Sequence, residues 1–429
     1  RTPLGGGGAV GVQLARAWAQ MRELRLTVLG SGPQPPADGV DYHRLPGDDL
    51  DLVKLSELGY ARFCRRFEAA ATAWLRSRPR AGGECVVVND ISESPDLRQL
   101  SAAGYPIVSI WHVDVVDYFN RMYFRGLLRP ERVVGAFESV RPWAGWAVPD
   151  VLQLVFEKQR QAVWHSRRLV VPSRAMVDTL QRCYPRGNRL AERCVVAPWG
   201  AWTEALDGEV VRARAEELRR HYQVDAGTSV LVTLSRLSPE KGVHLLLAAL
   251  ERLEASGRAP RDLCLFICGE AAFMQGAAYE RRLRRLAARL TRCRVFFPGY
   301  VAGEEKAAFL SLAHLFVSPS LHESYGLTMV EALRAGRPVL ASDHYGAREV
   351  FGPPEAADPR RGFGRLVRYA EGDPPGRLAA ELEGLLADPA GLRAMGERAR
   401  AAAAGMEFAS AARSVADAAL ECASAAGRS

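Results

Sequence analysis

A chain of 429 residues that is 48% apolar, 25% charged and 8% aromatic has the composition of a soluble globular protein too long for one ordinary core. No apolar stretch approaches the roughly 18 uninterrupted residues of a membrane span. The net charge of +8 suits phosphate-bearing ligands, nucleic acid or an anionic membrane surface. No basic stripe with regularly interleaved aromatics marks a nucleic-acid module, so that partner is set aside.

In chain order, Arg1 opens the sequence without an initiator Met or the apolar core of a signal peptide. The run Gly5–Gly8 reads as a loop before a helical pattern at Val10–Gln20. Such a loop ordinarily follows a first, central strand, and none precedes it, so the chain is expected to be truncated at its start. Strand candidates Arg25–Leu29, Cys85–Val88, Ile107–Trp111, Leu169–Val171 and Cys194–Ala197 follow, with helical patterns such as Leu58–Ser77 between them. After Pro198-Trp199-Gly200, the charged stretch Glu209–His221 reads as an exposed helix. A second series then begins with Ser229–Leu234, Leu263–Ile267, Arg294–Phe297, Leu315–Val317 and Val339–Ala341. Two successive α/β series predict two doubly wound domains, 1–205 and 206–405, with 406–429 a C-terminal helix returning to the first. Ligands of such sheets bind outside the carboxyl ends of the strands, so a cleft between the domains is the expected site. The eight Cys are scattered without any CxxC pair, which reads as reduced thiols in a cytoplasmic setting with no metal site.

Three segments of the second domain carry chemistry. Leu234-Ser235-Arg236-Leu237-Ser238-Pro239-Glu240-Lys241-Gly242 connects a strand to the helical pattern Val243–Leu250. A diphosphate leaving group needs fixed cations and open backbone donors, and this loop offers both. The second segment runs from Val317 to Leu333: a strand ends at Pro319, a helix starts near Gly326, and Gly336 caps it. Glu323 falls in the loop before that helix and Glu331 two turns into it, so the two carboxylates reach different parts of an extended ligand. Free amides around Gly326 and Leu327 suit an anion, and Gly at 326 lets a phosphate come close. The third segment is Phe297-Pro298-Gly299-Tyr300-Val301.

These residues resemble the donor site of retaining glycosyltransferase family 4, whose hallmark is two Glu flanking seven residues, here Glu323 to Glu331. The resemblance spans residues 165–350 and rests on the order and spacing of all three segments. It implies an α/β architecture of the GT-B type, with two Rossmann-like doubly wound domains facing a central cleft. It implies transfer of a hexose from a UDP- or GDP-sugar to a hydroxyl of a sugar, lipid-linked or small-molecule acceptor. No cofactor and no metal would be needed. Arg236 and Lys241 would neutralise the diphosphate, Glu331 would bind the ribose hydroxyls, and Glu323 would address the transferred sugar. Gly299, Tyr300 and Val301 would line the base pocket, and Ser324, Tyr325, Gly326 and Leu327 would hold phosphate at the helix start. One departure is Tyr345 in Ser342-Asp343-His344-Tyr345-Gly346, where the family often has the first of two glycines. His322 is read as a half-buried loop histidine. Asp49-Leu50-Asp51 matches the metal motif of another glycosyltransferase fold but lacks its strand context and is discounted.

In the first domain, Gly5, Gly6 and Gly7 resemble the family's glycine-rich loop under the donor phosphates. His112 follows the apolar strand Ile107–Trp111, so it should emerge at the strand's carboxyl end and approach the transferred sugar. Between 117 and 150, Tyr118, Phe119, Tyr123, Phe124, Phe137, Trp143 and Trp146 interleave with Arg121, Arg125, Arg129, Arg132 and Arg141. That stretch could stack on an acceptor or make a peripheral contact at the inner membrane face. An internal helix pair is the preferred reading. Two other functions stay open: a nucleotide-sugar epimerase of the same fold, and a non-catalytic sugar-nucleotide-binding protein. The full set of Arg236, Lys241, Glu323 and Glu331 argues against the latter.

Overall fold

Val, Ile, Leu and Cys fill the inner strands of two parallel sheets, as expected of strands covered on both faces. The computed structural model describes residues 6–45, 55–80, 82–124, 128–144, 150–187, 189–201, 206–271, 276–352, 362–370 and 372–426. Gly5 and Asp49-Leu50-Asp51 lie outside these residues. The chain divides into two units, one formed by Arg1–Trp199 with Phe408–Ser429 and the other by Gly200–Glu407.

Unit 1 holds β1 (Thr27–Gly30) and β2 (Asp41–Arg44), paired in parallel, and a parallel sheet of order β3-β4-β5-β6. The latter strands are Val86–Val88, Ile107–Ile110, Arg168–Val171 and Cys194–Val196. The core gathers Leu97, Leu100, Ile107, Trp111, Leu169, Val171, Met176 and Leu180. The closing helix Phe408–Ala426 packs against the helix Gly6–Ala19, where Trp18 Nε1 donates to the Ala412 carbonyl at 2.9 Å.

The glycine run is not a loop. Gly6, Gly7 and Gly8 form the first turn of the helix Gly6–Ala19. Glycine is a poor helix former, but its lack of a side chain is needed here. A Cβ at Gly7 would lie 2.8 Å from the His112 ring, and one at Gly11 would lie 2.6 Å from Asn89.

The stretch after β4 folds as helices Val115–Phe124, Pro130–Ala144 and Asp150–His165. Phe137 stacks on Phe156 at 4.5 Å between ring centroids, and Val134 is buried, which gives the internal helix packing. Trp143 departs from it, with 86% of its surface exposed.

Unit 2 is one parallel sheet of order β12-β11-β10-β7-β8-β9. In chain order its strands are β7 (Ser229–Leu234), β8 (Leu263–Cys268), β9 (Cys293–Gly299), β10 (Leu315–Ser318), β11 (Val339–Ser342) and β12 (Gly364–Val367). The chain winds outward from β7 to β9, then returns to β7's other side at β10, where Leu315 and Phe316 pair with Leu231 and Val232. That reversal is a topological switch point, the place where sheets of this kind bind ligands. Pro298 is tolerated inside β9 because β9 is an edge strand.

Candidate functional site

The loop leaving β7 is held by its neighbours. Ser235 N–H donates to the Cys268 carbonyl at 3.0 Å and Leu237 N–H to the Glu270 carbonyl at 2.8 Å. Pro239–Lys241 makes one 3₁₀ turn, and Gly242, at φ +64°, redirects the chain into the helix Val243–Ala255. A Cβ at Gly242 would lie 2.0 Å from the Pro319 carbonyl oxygen. The glycine therefore brings the loop from β7 directly against the loop from β10. Glu240 is buried; its side chain accepts from Ser238 Oγ at 2.6 Å, and Arg236 lies 3.7 Å from it.

The loop leaving β10 carries Glu323. Its Oε2 meets Lys241 Nζ at 2.5 Å, and its backbone carbonyl accepts the Gly346 N–H at 3.0 Å. Burial pushes the Glu323 carboxyl up, but Lys241 beside it, together with His344 and Arg236, more than offsets this and holds it below the usual carboxylate range. Gly326, at φ +89°, opens the helix Leu327–Arg334. The amides at that helix start lie just after Glu323, as the sequence predicts. Gly336, at φ +70°, follows the helix's end.

Ser324 and Tyr325 are buried. The Tyr325 hydroxyl accepts the Gly200 N–H at 3.1 Å, and burial pushes its pKa up to about 12. The Tyr325 side chain thus braces the loop.

Glu331 is half-buried and forms an ion pair with Lys306 at 2.8 Å. Lys306 lies on the helix Gly303–Leu312, just after Gly299, Tyr300 and Val301. Gly299 ends β9 at φ +85°, and its carbonyl accepts the Gly269 N–H at 2.7 Å. Val301 is buried and Tyr300 is exposed. The β9 turn and the Glu331 end of the helix are therefore linked through Lys306, a residue that the sequence reading did not single out. Its signal was a lysine in the first turn after the β9 loop.

His344, also not singled out, follows β11 and is buried. Its Nδ1 accepts the Ala347 N–H at 3.1 Å, and burial lowers its pKa to about 4. His322 is buried rather than half-buried, its ring edge-on to Tyr345 at 5.5 Å.

In unit 1, Gly7 and His112 come together through Asn89. Asn89 Nδ2 donates to the Gly7 carbonyl at 3.1 Å, and His112 Nε2 lies 3.2 Å from Asn89 Oδ1. Burial lowers the His112 pKa, with Asp90 opposing it. Glu93, next to Asp90, accepts from the Tyr60 hydroxyl at 3.2 Å, and burial raises its pKa to about 7. Gly6 has open space around it. Among the described residues, no group of three or more His, Cys, Asp or Glu is placed to hold a metal ion, and no helix is long and apolar enough to cross a membrane.

The sequence profile of the family described as Glycosyl transferases group 1 matches residues 214–402, which contain the unit 2 site residues from Arg236 to Gly346. The chain is 30% identical over 331 residues to a GDP-mannose-dependent alpha-mannosyltransferase of Mycolicibacterium smegmatis, covering 75% of this chain and 70% of that one. The chain belongs to the glycosyl transferases group 1 family. An alpha-maltose-1-phosphate synthase of the same organism is 30% identical over 264 residues, and the match spans 59% of this chain and 62% of that enzyme's length. The glycosyltransferase WaaG superposes with a TM-score of 0.66 at 17% identity, covering 97% of this chain and 96% of that one. The fold of this glycosyltransferase is GT-B, with two Rossmann-like units.

Proposed function

We propose that this glycosyltransferase moves a hexose from a UDP- or GDP-sugar to a hydroxyl of a sugar, lipid-linked or small-molecule acceptor, with retention at the anomeric carbon and without a metal or other cofactor. One observation carries the reading. At the switch point of unit 2, Arg236 and Lys241 leave β7 while Glu323 and the amides opening the helix Leu327–Arg334 leave β10. Fixed cations and oriented amides there match a departing diphosphate, whose charge grows in the transition state. The relative named for GDP-mannose supports a nucleoside-diphosphate donor.

In this reading Arg236 and Lys241 neutralise the diphosphate, and Ser324, Gly326 and Leu327 offer it backbone donors. Gly299, Tyr300 and Val301 line the base, and Glu331, oriented by Lys306, receives the ribose hydroxyls. Glu323 addresses the transferred sugar. Glu323 is held by Lys241 and serves as a hydrogen-bonding carboxylate, not as a covalent nucleophile. The leaving phosphate then takes the acceptor's proton on the face it departs from. Eight free thiols fit a cytoplasmic setting.

A panel of UDP- and GDP-sugars, incubated with candidate acceptors and followed by nucleotide release and by NMR of the product anomer, tests the proposal. Transfer with the donor's anomeric configuration is expected. An inverted product would overturn retention, and donor interconversion without any acceptor would overturn transfer.

A further inference from the structure

We propose that Glu240 is a positioning residue for Arg236, holding its guanidinium where the donor diphosphate binds, an inference that rests on the nucleotide-sugar reading above. The backbone on both sides of Arg236 is fixed by neighbouring strands. Ser235 N–H bonds the Cys268 carbonyl at 3.0 Å, and Leu237 N–H bonds the Glu270 carbonyl at 2.8 Å. The Arg236 side chain leaves that backbone on a long flexible stem and is 29% exposed, so the loop alone does not select its direction.

Glu240 is held at both ends. Its carbonyl accepts the Leu321 N–H at 2.7 Å, and its Oε1 accepts from Ser238 Oγ at 2.6 Å. The side chain is only 3% exposed, and Oε2 is buried and meets no hydrogen-bond donor among the described residues. One neutral hydroxyl is thus all that this carboxylate receives by hydrogen bonding there. A carboxylate withdrawn from water attracts a nearby cation strongly. Arg236 Nη2 lies 3.7 Å from Oε1, and among the described residues it is the only cation paired with Glu240. Lys241, the next residue along, pairs with Glu323 instead. The two cations of the site therefore have separate anchors, one across the loops and one within the loop from β7. At 3.7 Å the contact is beyond hydrogen-bond distance, so Glu240 steers the guanidinium by charge without taking up one of its N–H groups.

Glu240→Gln keeps the size of the side chain and an oxygen for the Ser238 hydroxyl, and it removes the charge. Calorimetry on the full chain would use UDP and GDP as probes. For the nucleotide that the wild type binds, Glu240→Gln should lower the affinity about fivefold. Added to Arg236→Ala it should change nothing beyond about twofold, because there is no guanidinium left to orient. Added to Lys241→Ala, which keeps Arg236, it should cost about fivefold again. A slackened loop would instead weaken binding in both backgrounds, since Lys241 directly follows Glu240. Wild-type affinity in Glu240→Gln would overturn the proposal, as would a loss that persists with Arg236→Ala or vanishes with Lys241→Ala. If Glu240→Gln melts well below the wild type, Ser238→Ala takes its place, removing the hydroxyl that fixes Oε1 and keeping the charge. It should weaken binding about threefold with Arg236 present and not with Arg236→Ala. No loss, or the same loss in both backgrounds, would overturn the proposal. A wild-type chain that binds neither probe refutes the nucleotide-sugar reading itself, and Arg236→Ala with wild-type affinity refutes the phosphate role of Arg236; in either case the proposal falls with its premise.

Discussion

Lys241 Nζ lies 2.5 Å from Glu323 Oε2, joining the loop that leaves β7 to the loop that leaves β10. The side chains are 11% and 23% exposed, so each neutralises a charge that solvent reaches poorly. Lys241→Ala therefore removes a donor to the diphosphate and also strands a carboxylate. Turnover should fall roughly 100-fold or more, and stability by about 2 kcal/mol. The expected loss of stability follows from the burial of this lysine against Glu323. Arg236 is more exposed, so Arg236→Ala should give a similar loss of turnover with a smaller loss of stability. Steady-state kinetics and urea denaturation measure both, and near-normal turnover in both variants would remove the phosphate assignment.

The two glutamates of the motif have different lysines, Lys241 for Glu323 and Lys306 for Glu331. Glu331→Gln should weaken binding of free UDP or GDP, since ribose contacts are alike in ground and transition states and act mainly on KM. Glu323→Gln should leave nucleotide binding near normal and lower kcat. Lys306→Ala should repeat the Glu331→Gln defect, and the double variant should be little worse than either single one. Equal nucleotide losses at Glu323 and Glu331, measured by calorimetry, would dissolve this division of labour.

Cationic side chains and helix amides take the place of a divalent ion in the proposed mechanism. EDTA should then leave the transfer rate unchanged within about twofold, since nothing needed for charge stabilisation is removed. Activity lost on chelation and restored by Mn²⁺ or Mg²⁺ would contradict it.

Gly242 and Gly299 both adopt positive φ, +64° and +85°, but only Gly242 is also crowded. A Cβ there would sit 2.0 Å from the Pro319 carbonyl oxygen, whereas one at Gly299 would meet nothing within 4 Å. Gly299→Ala should cost about 1 kcal/mol for the backbone alone. Gly242→Ala should cost at least about 3 kcal/mol, because the two site loops must separate. Comparable urea midpoints for the two variants would mean that the loops are not held together at this glycine.

The inner strands were legible because burial on both faces writes itself as continuous apolar runs. Ser229–Leu234 appears with the same limits in the structure. β2 (Asp41–Arg44) and β12 (Gly364–Val367) were missed because each is an edge strand, short and partly exposed, with charged residues in it. Gly5–Gly8 was read as a loop because helix propensity is local, whereas what calls for glycine at position 7 is the His112 ring, far along the chain. The site was legible where its residues share a loop, as Glu323 and Gly326 do. Its pairings were not: Lys241 and Glu323 are separated by 82 positions and Lys306 and Glu331 by 25.

Glu93 offers a test in unit 1 that is independent of any ligand. Burial is the main cause that raises its carboxyl from 4.5 to about 7; Asp90 adds to the rise, and the Tyr60 hydroxyl opposes it. The folded state therefore holds the proton more tightly than the unfolded chain does. Below pH 4.5 the group is protonated in both states, and its favourable contribution is fully present. As the pH climbs from 4.5 through 7, the unfolded chain ionises freely while the folded one resists, so stability is lost; above 7 the loss levels off. Glu93→Gln has no proton to lose. It should match the wild type near pH 4.5 and exceed it by about 2 kcal/mol at pH 8, the order set by a shift of this size. Urea denaturation of both proteins from pH 4.5 to 8 reads the difference directly, because titrations elsewhere cancel between them. A difference that stays constant across that range would show that Glu93 ionises in the folded state as easily as in the unfolded one. The carboxyl beside Asp90 would then be open to water, and the cluster next to Asn89 and His112 would carry a full negative charge at neutral pH.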